Sequence, residues 1–294
     1  MKRLKGTLIW AAAILITLGA SVYQRMTGPT HPKSYQVTIE GNRYRFEVPR
    51  SHGGPGDARI AIRMHPDVEG RVIYRRFPTG ESWDTVTMKR KGDTLTASLP
   101  HQPPAGKLEY HLELIHHHNP VDLQEHQNNV IRFKGWVPRW ALVPHVILMF
   151  LAMLWSNATG LQAVFRVPSY RRNMVIAIVL FATGGLIFGP IVQKYAFGQF
   201  WTGWPAGEDL TDNKVLFSAI AWFIAWWFNR KKERPWLAAL AAAILFAAYM
   251  IPHSMNGSEY NYESKEVITG MLLGASIWSD RMKPGKKRQD LPHG

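Results

Sequence analysis

"RWALVPHVILMFLAMLWSNATGLQAVF", Arg139 to Phe165, divides the chain in two. Before it lie the mostly polar residues 29–136, and after it come further apolar runs separated by short charged segments. A helix needs about 20 predominantly apolar residues to cross a bilayer, and this run supplies them. The chain has 294 residues, a net charge of +14 and a pI near 10.0. Such a charge alone suggests a nucleic-acid binder. Its distribution argues instead for membrane topology, because much of the basic charge sits between apolar runs; no nucleic-acid partner is expected. The mean hydropathy of −0.15 blends an apolar part with a polar one. With no cysteine, disulfides, thiolate metal sites, covalent c-type haem attachment and cysteine nucleophiles are excluded.

Five more runs accompany the first: Gly6–Tyr23, Asn173–Tyr195, Lys214–Phe228, Pro235–Ile251 and the short Val267–Trp278. The earliest follows Lys2, Arg3 and Lys5, and it reads as an uncleaved anchor in preference to a signal peptide. Basic residues cluster before it, at Arg166–Arg172, at Arg230–Arg234 and at Arg281–Arg288. The alternate segments carry Glu208, Asp209 and Asp212, then Glu259, Glu263 and Glu266. The positive-inside rule then favours six spans over five. The expected fold is an α-helical integral membrane protein of about six transmembrane helices with an inserted all-β sandwich. Residues 1–28 form the anchor, 29–136 a periplasmic sandwich, 137–280 a five-helix membrane domain and 281–294 a basic cytoplasmic tail. Its expected place is a bacterial inner membrane, with both termini cytoplasmic.

Within residues 29–136, short alternating segments are broken by turn residues. "YQVTIE" and "RYRFEV" flank Gly41-Asn42, a hairpin signal. In "KLEYHLELI", Leu108, Tyr110, Leu112 and Leu114 share one face, opposite Glu109, His111 and Glu113. The order Tyr74, Trp83, Met88, Gly92-Asp93, Leu99-Pro100 and Gly106–Tyr110 resembles bacterial immunoglobulin-like or fibronectin-type-III-like modules. The resemblance spans Gly70–Leu114 and implies a fold; no activity follows from it.

Four places can carry chemistry. His145 follows Pro144 early in the second run, and His253 follows Pro252 at the end of the fifth. Topology puts both near the exported face, where two imidazoles can ligate one b-type haem, share a divalent metal or bond a quinone. Interfacial histidines bonded to loop carbonyls are the plainer alternative. The segment Gly189–Lys214 carries Trp201, Trp204, Glu208, Asp209 and Asp212 among glycines and Pro205. It is expected as a non-helical lid over a site, or as an aromatic belt with Asp212 capping a helix. The run His116-His117-His118 can bind a divalent metal if its geometry converges, and is otherwise a solvated loop. Glu259, close in sequence to His253, can orient an imidazole or take a proton. Phosphate-loop, dinucleotide, G-x-S-x-G and H-E-x-x-H motifs are absent. The expected function is therefore an accessory subunit binding membrane or periplasmic proteins. A haem- or quinone-binding redox protein and a metal-handling or transport protein are the rivals, and whether the chain is an enzyme stays open.

Overall fold

The computed structural model describes residues 2–123, 128–252 and 258–268. Helix α1 (Lys2–Thr27) leads into β1 (Lys33–Ile39), β2 (Asn42–Val48), β3 (Ser51–Gly53), β4 (Ala58–Arg63), β5 (Val68–Arg76) and β6 (Asp84–Thr87). Then follow β7 (Lys89–Lys91), β8 (Thr94–Leu99), β9 (Lys107–His116), β10 (Asn119–Pro120) and β11 (Asn129–Lys134). Four helices come next: α2 (Arg139–Val164), α3 (Tyr170–Phe197), α4 (Leu210–Asn229) and α5 (Pro235–Met250). A small hairpin, β12 (Glu259–Asn261) and β13 (Glu266–Ile268), closes the described chain.

The expected architecture is corrected on both counts. Among the described residues, only α1, α2 and α3 are long and apolar enough to cross a membrane. Helix α4 has 20 residues, but Thr211–Lys214 take its first turn and Asn229 its last, which leaves a short apolar middle. Helix α5 has 16 residues. The run from Val267 begins as strand β13, paired with β12, and residues 269–294 lie outside the described residues. There are not six transmembrane helices among the described residues.

The β part is not a two-sheet sandwich either. Its strands divide into β1-β2, β4-β8-β7 and a larger sheet β3-β11-β9-β5-β6, with β10 on β9. Pairing is antiparallel except for β3 on β11, which is parallel. All three sheets surround one core that includes Ile60, Ile62, Leu99, Tyr110, Ile131 and Phe133. Alternation in β9 places its residues as expected: Leu108, Tyr110, Leu112 and Leu114 are buried. On the other face, Glu109 pairs with Arg75 and Glu113 with Arg71 across β5. The first hairpin turns one residue earlier than expected, on Glu40-Gly41, with φ of 50° and 77°. Trp83 departs from the immunoglobulin-like pattern. It is packed beside the Arg75 guanidinium at 4.3 Å and edge-on to His111, away from the core.

Among the helices, small residues allow close approach. A Cβ on Gly160 of α2 would meet the Ala242 Cβ of α5 at 2.7 Å. On α3, a Cβ on Gly184 would meet Leu148 of α2 at 2.9 Å. Buried polar side chains also join helices: Asn157 of α2 donates to Thr17 of α1, and Asn173 of α3 donates to Gln162 of α2. Large apolar side chains on α1–α5 face outward, Leu15, Val146, Val179, Phe217 and Trp236 among them. That is the surface expected of helices solvated by lipid.

Candidate functional site

The β domain meets the helices at the end of β11, and the buried charges gather there. Arg132 sits in a strand whose two faces are both covered, and it is 6% exposed. One Nη2–H donates to the Ser258 carbonyl, and the guanidinium lies 4.3 Å from the Phe197 ring centre at the end of α3. Its Nε–H is buried with no hydrogen-bond partner among the described residues. Burial pulls the Arg132 pKa down, while the charges of Asp209 and Glu259 push it back up.

Asp209 caps α4. Its Oδ1 accepts the Thr211 N–H at 2.8 Å and the Asp212 N–H at 3.4 Å, as an N-cap carboxylate does. Its Oδ2 accepts the N–H and hydroxyl of Ser258 at 3.1 and 3.4 Å. Asp212 Oδ2 accepts from the Thr202 N–H at 2.6 Å, the Thr202 hydroxyl at 3.0 Å and Gln193 Nε2 at 3.0 Å. Glu259 is ion-paired at 2.9 Å with Lys107, the first residue of β9. The Tyr262 hydroxyl accepts the Lys107 N–H and donates to the Lys107 carbonyl; burial pushes its pKa up to about 12. Backbone bonds add Gly135 N–H to Ala196 O at 2.9 Å and Tyr260 N–H to Ala105 O at 3.2 Å.

Behind Arg132 is a cavity of about 140 Å³, lined in part by His145, Gln193, Asp209 and Asp212. A π-helical stretch of α3, Ala182–Phe188, supplies one wall. The Gly184 carbonyl there accepts the Gly189 N–H and lies 2.9 Å from His145 Nδ1. A carbonyl cannot donate, so Nδ1 carries the proton of that bond. The cavity is well under the ~300 Å³ at which drug-sized ligand sites begin. It has room for a small ion or a few waters, and a porphyrin would not fit in it.

The residues singled out from the sequence therefore separate. His145, Asp209 and Asp212 line one cavity, and Glu259, whose charge acts on Arg132, is not among its lining residues. His253 lies outside the described residues. Trp201 donates from Nε1 to the Trp204 carbonyl, and Trp204 is 66% exposed, so neither lines the cavity. The segment Gly189–Lys214 is not a free lid: Gly189–Phe197 continues α3, and Asp212 and Lys214 belong to α4. His116 and His117 stand at the far end of β9 beside Glu40, and His118 turns toward a different cavity. Arg132, Lys107, Gln193 and Ser258 were not legible as partners. Only an arginine inside an apolar strand pattern, "NVIRFK", hinted at a buried charge.

The Asp212 carboxyl has a pKa raised above the ordinary carboxylate value. Burial is the main cause, opposed by the bonds from Thr202 and Gln193 and reinforced by Asp209. The folded chain thus holds this proton more tightly than the unfolded chain does. The sign of linkage follows: stability falls as pH rises from the ordinary carboxylate pKa through the raised one. Asp212→Asn is expected to remove that fall and to keep an oxygen for Thr202 and Gln193, within about 1 kcal/mol of wild type at neutral pH. Asp212→Ala leaves the Thr202 N–H unpaired, while Gln193 keeps its bond to the Thr202 hydroxyl, and is expected to cost about 1–3 kcal/mol. Thermal unfolding of both variants from acidic to neutral pH checks this.

Comparison with protein families, with curated proteins and with solved structures finds no match.

Proposed function

We propose that the chain is a non-catalytic, membrane-anchored subunit of a bacterial inner membrane. Its helices hold residues 29–136 on the periplasmic side in one fixed pose for a protein partner. The observation that supports this reading is the structural use of the carboxylates at the junction. Both oxygens of Asp209, Oδ2 of Asp212 and Oε1 of Glu259 are spent on capping, docking or ion pairing. Groups used in this way position a domain; a general acid or base needs an oxygen facing a substrate. The basic clusters beside the apolar runs support the orientation.

The outward face of the β domain suggests the partner's chemistry. Arg43 and Arg45 on β2, Arg59 and Arg63 on β4, and Lys89 and Lys91 on β7 are exposed. Glu47 and Asp93 are the acidic residues among them. A surface of this kind favours an acidic partner and speeds encounter with it. Crosslinking in native membranes, followed by purification, is expected to give one stoichiometric acidic protein. That product should disappear in the double variant Arg59→Glu, Lys89→Glu and persist in His145→Ala. A chain that purifies alone, or a Soret band that His145→Ala abolishes, would overturn the proposal.

A further inference from the structure

At the opposite end of β9 from the membrane junction, three turns bring their side chains together. Lys107 begins the strand at the junction and His116 ends it, so a 10-residue strand separates the two ends by roughly 30 Å. The turn after β9, His117-His118, leads directly into β10. The Glu40-Gly41 turn joins β1 to β2. The third segment, His65–Asp67, joins β4 to β5.

One carboxylate is the hub. Glu40 Oε2 lies 3.5 Å from His65 Nε2, and Glu40 Oε1 lies 3.5 Å from His116 Nε2 and 3.6 Å from His117 Nε2. The His65 and His116 ring centres are 5.4 Å apart, and those of His116 and His117 are 4.2 Å apart. His116 Nε2 is buried and has no hydrogen-bond partner among the described residues. Donors about 2.1 Å from a tetrahedral ion stand about 3.4 Å from one another. That is close to the 3.5 and 3.6 Å that Glu40 Oε1 keeps from His116 and His117. Single donor atoms of Glu40, His116 and His117 all lie within 4.8 Å of one another, and His116 is shared with a second such group, His65, Asp67 and His116. We propose that Glu40, His65, His116 and His117 form a binding site for a divalent transition-metal ion of the imidazole-preferring class, at the tip of the β domain away from the membrane.

Three features beyond proximity carry the assignment. The first is the choice of turn residues. Two-residue hairpin turns with positive φ at both positions favour Asn-Gly or Gly-Gly. Here Glu40, His117 and His118 have φ of 50°, 47° and 68°. Each such non-glycine residue holds a backbone conformation that costs free energy. Two of the three costly positions, Glu40 and His117, put a metal donor into the cluster. The second is that the His65 segment is pinned. Arg90 donates to the His65 and Val68 carbonyls, and the Met64 N–H donates to the Asp93 carbonyl. The third is an outer carboxylate. Asp67 Oδ2 is 3.7 Å from His65 Nδ1, and the Asp67 N–H donates to that nitrogen at 3.3 Å. With Nδ1 accepting the Asp67 N–H, the ring proton sits on Nε2. A metal that displaces it moves the proton to Nδ1, which gives up that bond and turns to the Asp67 carboxylate 3.7 Å away.

His118 provides the internal control. It adjoins His117 in the chain but lines a different cavity with Tyr35, Arg71 and Asn129. The test is calorimetric titration of the full-length protein, solubilised in detergent and purified without a histidine tag, with Zn²⁺. One ion per chain is expected. His116→Ala and Glu40→Gln should each weaken binding by more than about 100-fold, and Asp67→Ala by about 10- to 100-fold. His118→Asn keeps a residue that tolerates positive φ and should bind as wild type does. Circular dichroism of each variant establishes that the β domain is folded, and Co²⁺ absorption reports a four-coordinate nitrogen and oxygen site in folded wild type. No stoichiometric Zn²⁺, unchanged binding in folded His116→Ala, or an equal loss in His118→Asn would overturn the proposal. None of these outcomes bears on the partner proposed above, because the read-out is Zn²⁺ binding to the purified chain and every variant keeps Arg59 and Lys89 in place.

Discussion

A Gly135→Ala variant is expected to lose the docked pose of the β domain while the sheets and helices keep their own cores. A Cβ on residue 135 would stand 2.2 Å from the Tyr195 carbonyl oxygen and 3.6 Å from that of Ala196. These are backbone atoms at the end of α3, so no flexible side chain can step aside. Either the linker or the helix end must move, and the Gly135 N–H bond to Ala196 O at 2.9 Å lengthens. The lost bond is worth about 1 kcal/mol and the overpacking about 1–3 kcal/mol. The same movement draws Arg132 from Phe197 and from the Ser258 carbonyl. Amide exchange separates the possibilities. The Gly135 and Tyr260 amides should exchange far faster than in wild type, while the amides of β5 and β9 stay protected. Equal loss of protection in β9 would mean that the glycine serves folding of the domain, not docking. Unchanged exchange at Gly135 would show that the junction yields at no cost.

An Asn229→Ala variant is expected to lose about 3 kcal/mol or more of stability, the larger effect of the two. Asn229 ends α4, is 1% exposed, and uses its full bonding capacity. Its Oδ1 accepts the Tyr170 O–H and the Arg234 N–H, each at 2.8 Å. Its Nδ2 donates to the Ala225 carbonyl at 2.8 Å and the Arg234 carbonyl at 3.1 Å. Alanine strands the Tyr170 hydroxyl and both Arg234 backbone groups where water is largely excluded, and each orphan costs about 1–3 kcal/mol. The apparent Tm at a fixed scan rate should fall by roughly 5–10 °C. The double variant Tyr170→Phe, Asn229→Ala should recover part of the loss, because the hydroxyl that lacked a partner is gone. A double variant exactly additive in its two losses would show that the Tyr170–Asn229 bond contributes nothing.

These two residues illustrate how unevenly the sequence discloses the molecule. Gly135 and Asn229 carry no periodic signal; each matters because of an atom far along the chain or in the next element. The apolar runs were legible wherever a continuous helix formed, and α2 matches its run to within one residue at the C-terminal end. The run Lys214–Phe228 misled because composition does not weigh the polar turns at its ends. Val267 misled because two β-branched residues at the head of an apolar run, Val267 and Ile268, also suit a strand once β12 offers it an edge. For the candidate site, Asp209, Asp212 and Glu259 were visible as unusual acids beside apolar runs. Their partners Ser258, Gln193, Thr202 and Lys107 were not, because nothing in their spacing links them to those acids.

By itself, the sequence determined the broad division of the chain. Residues with a period of two formed strands, long apolar runs formed helices, and the faces of β9 were set by alternation alone. Those are local properties, decided by backbone geometry and by the free energy of burying one face. Tertiary structure alone decided the rest. It set which strands share a sheet, which carboxylates are consumed in docking, and which histidines of the His116–His118 run meet Glu40 and His65. Contacts of that kind join residues far apart in the chain, and their free energy exists only after the intervening chain has folded. A triplet of identical side chains could therefore not announce that two of its members face one carboxylate while the third faces away.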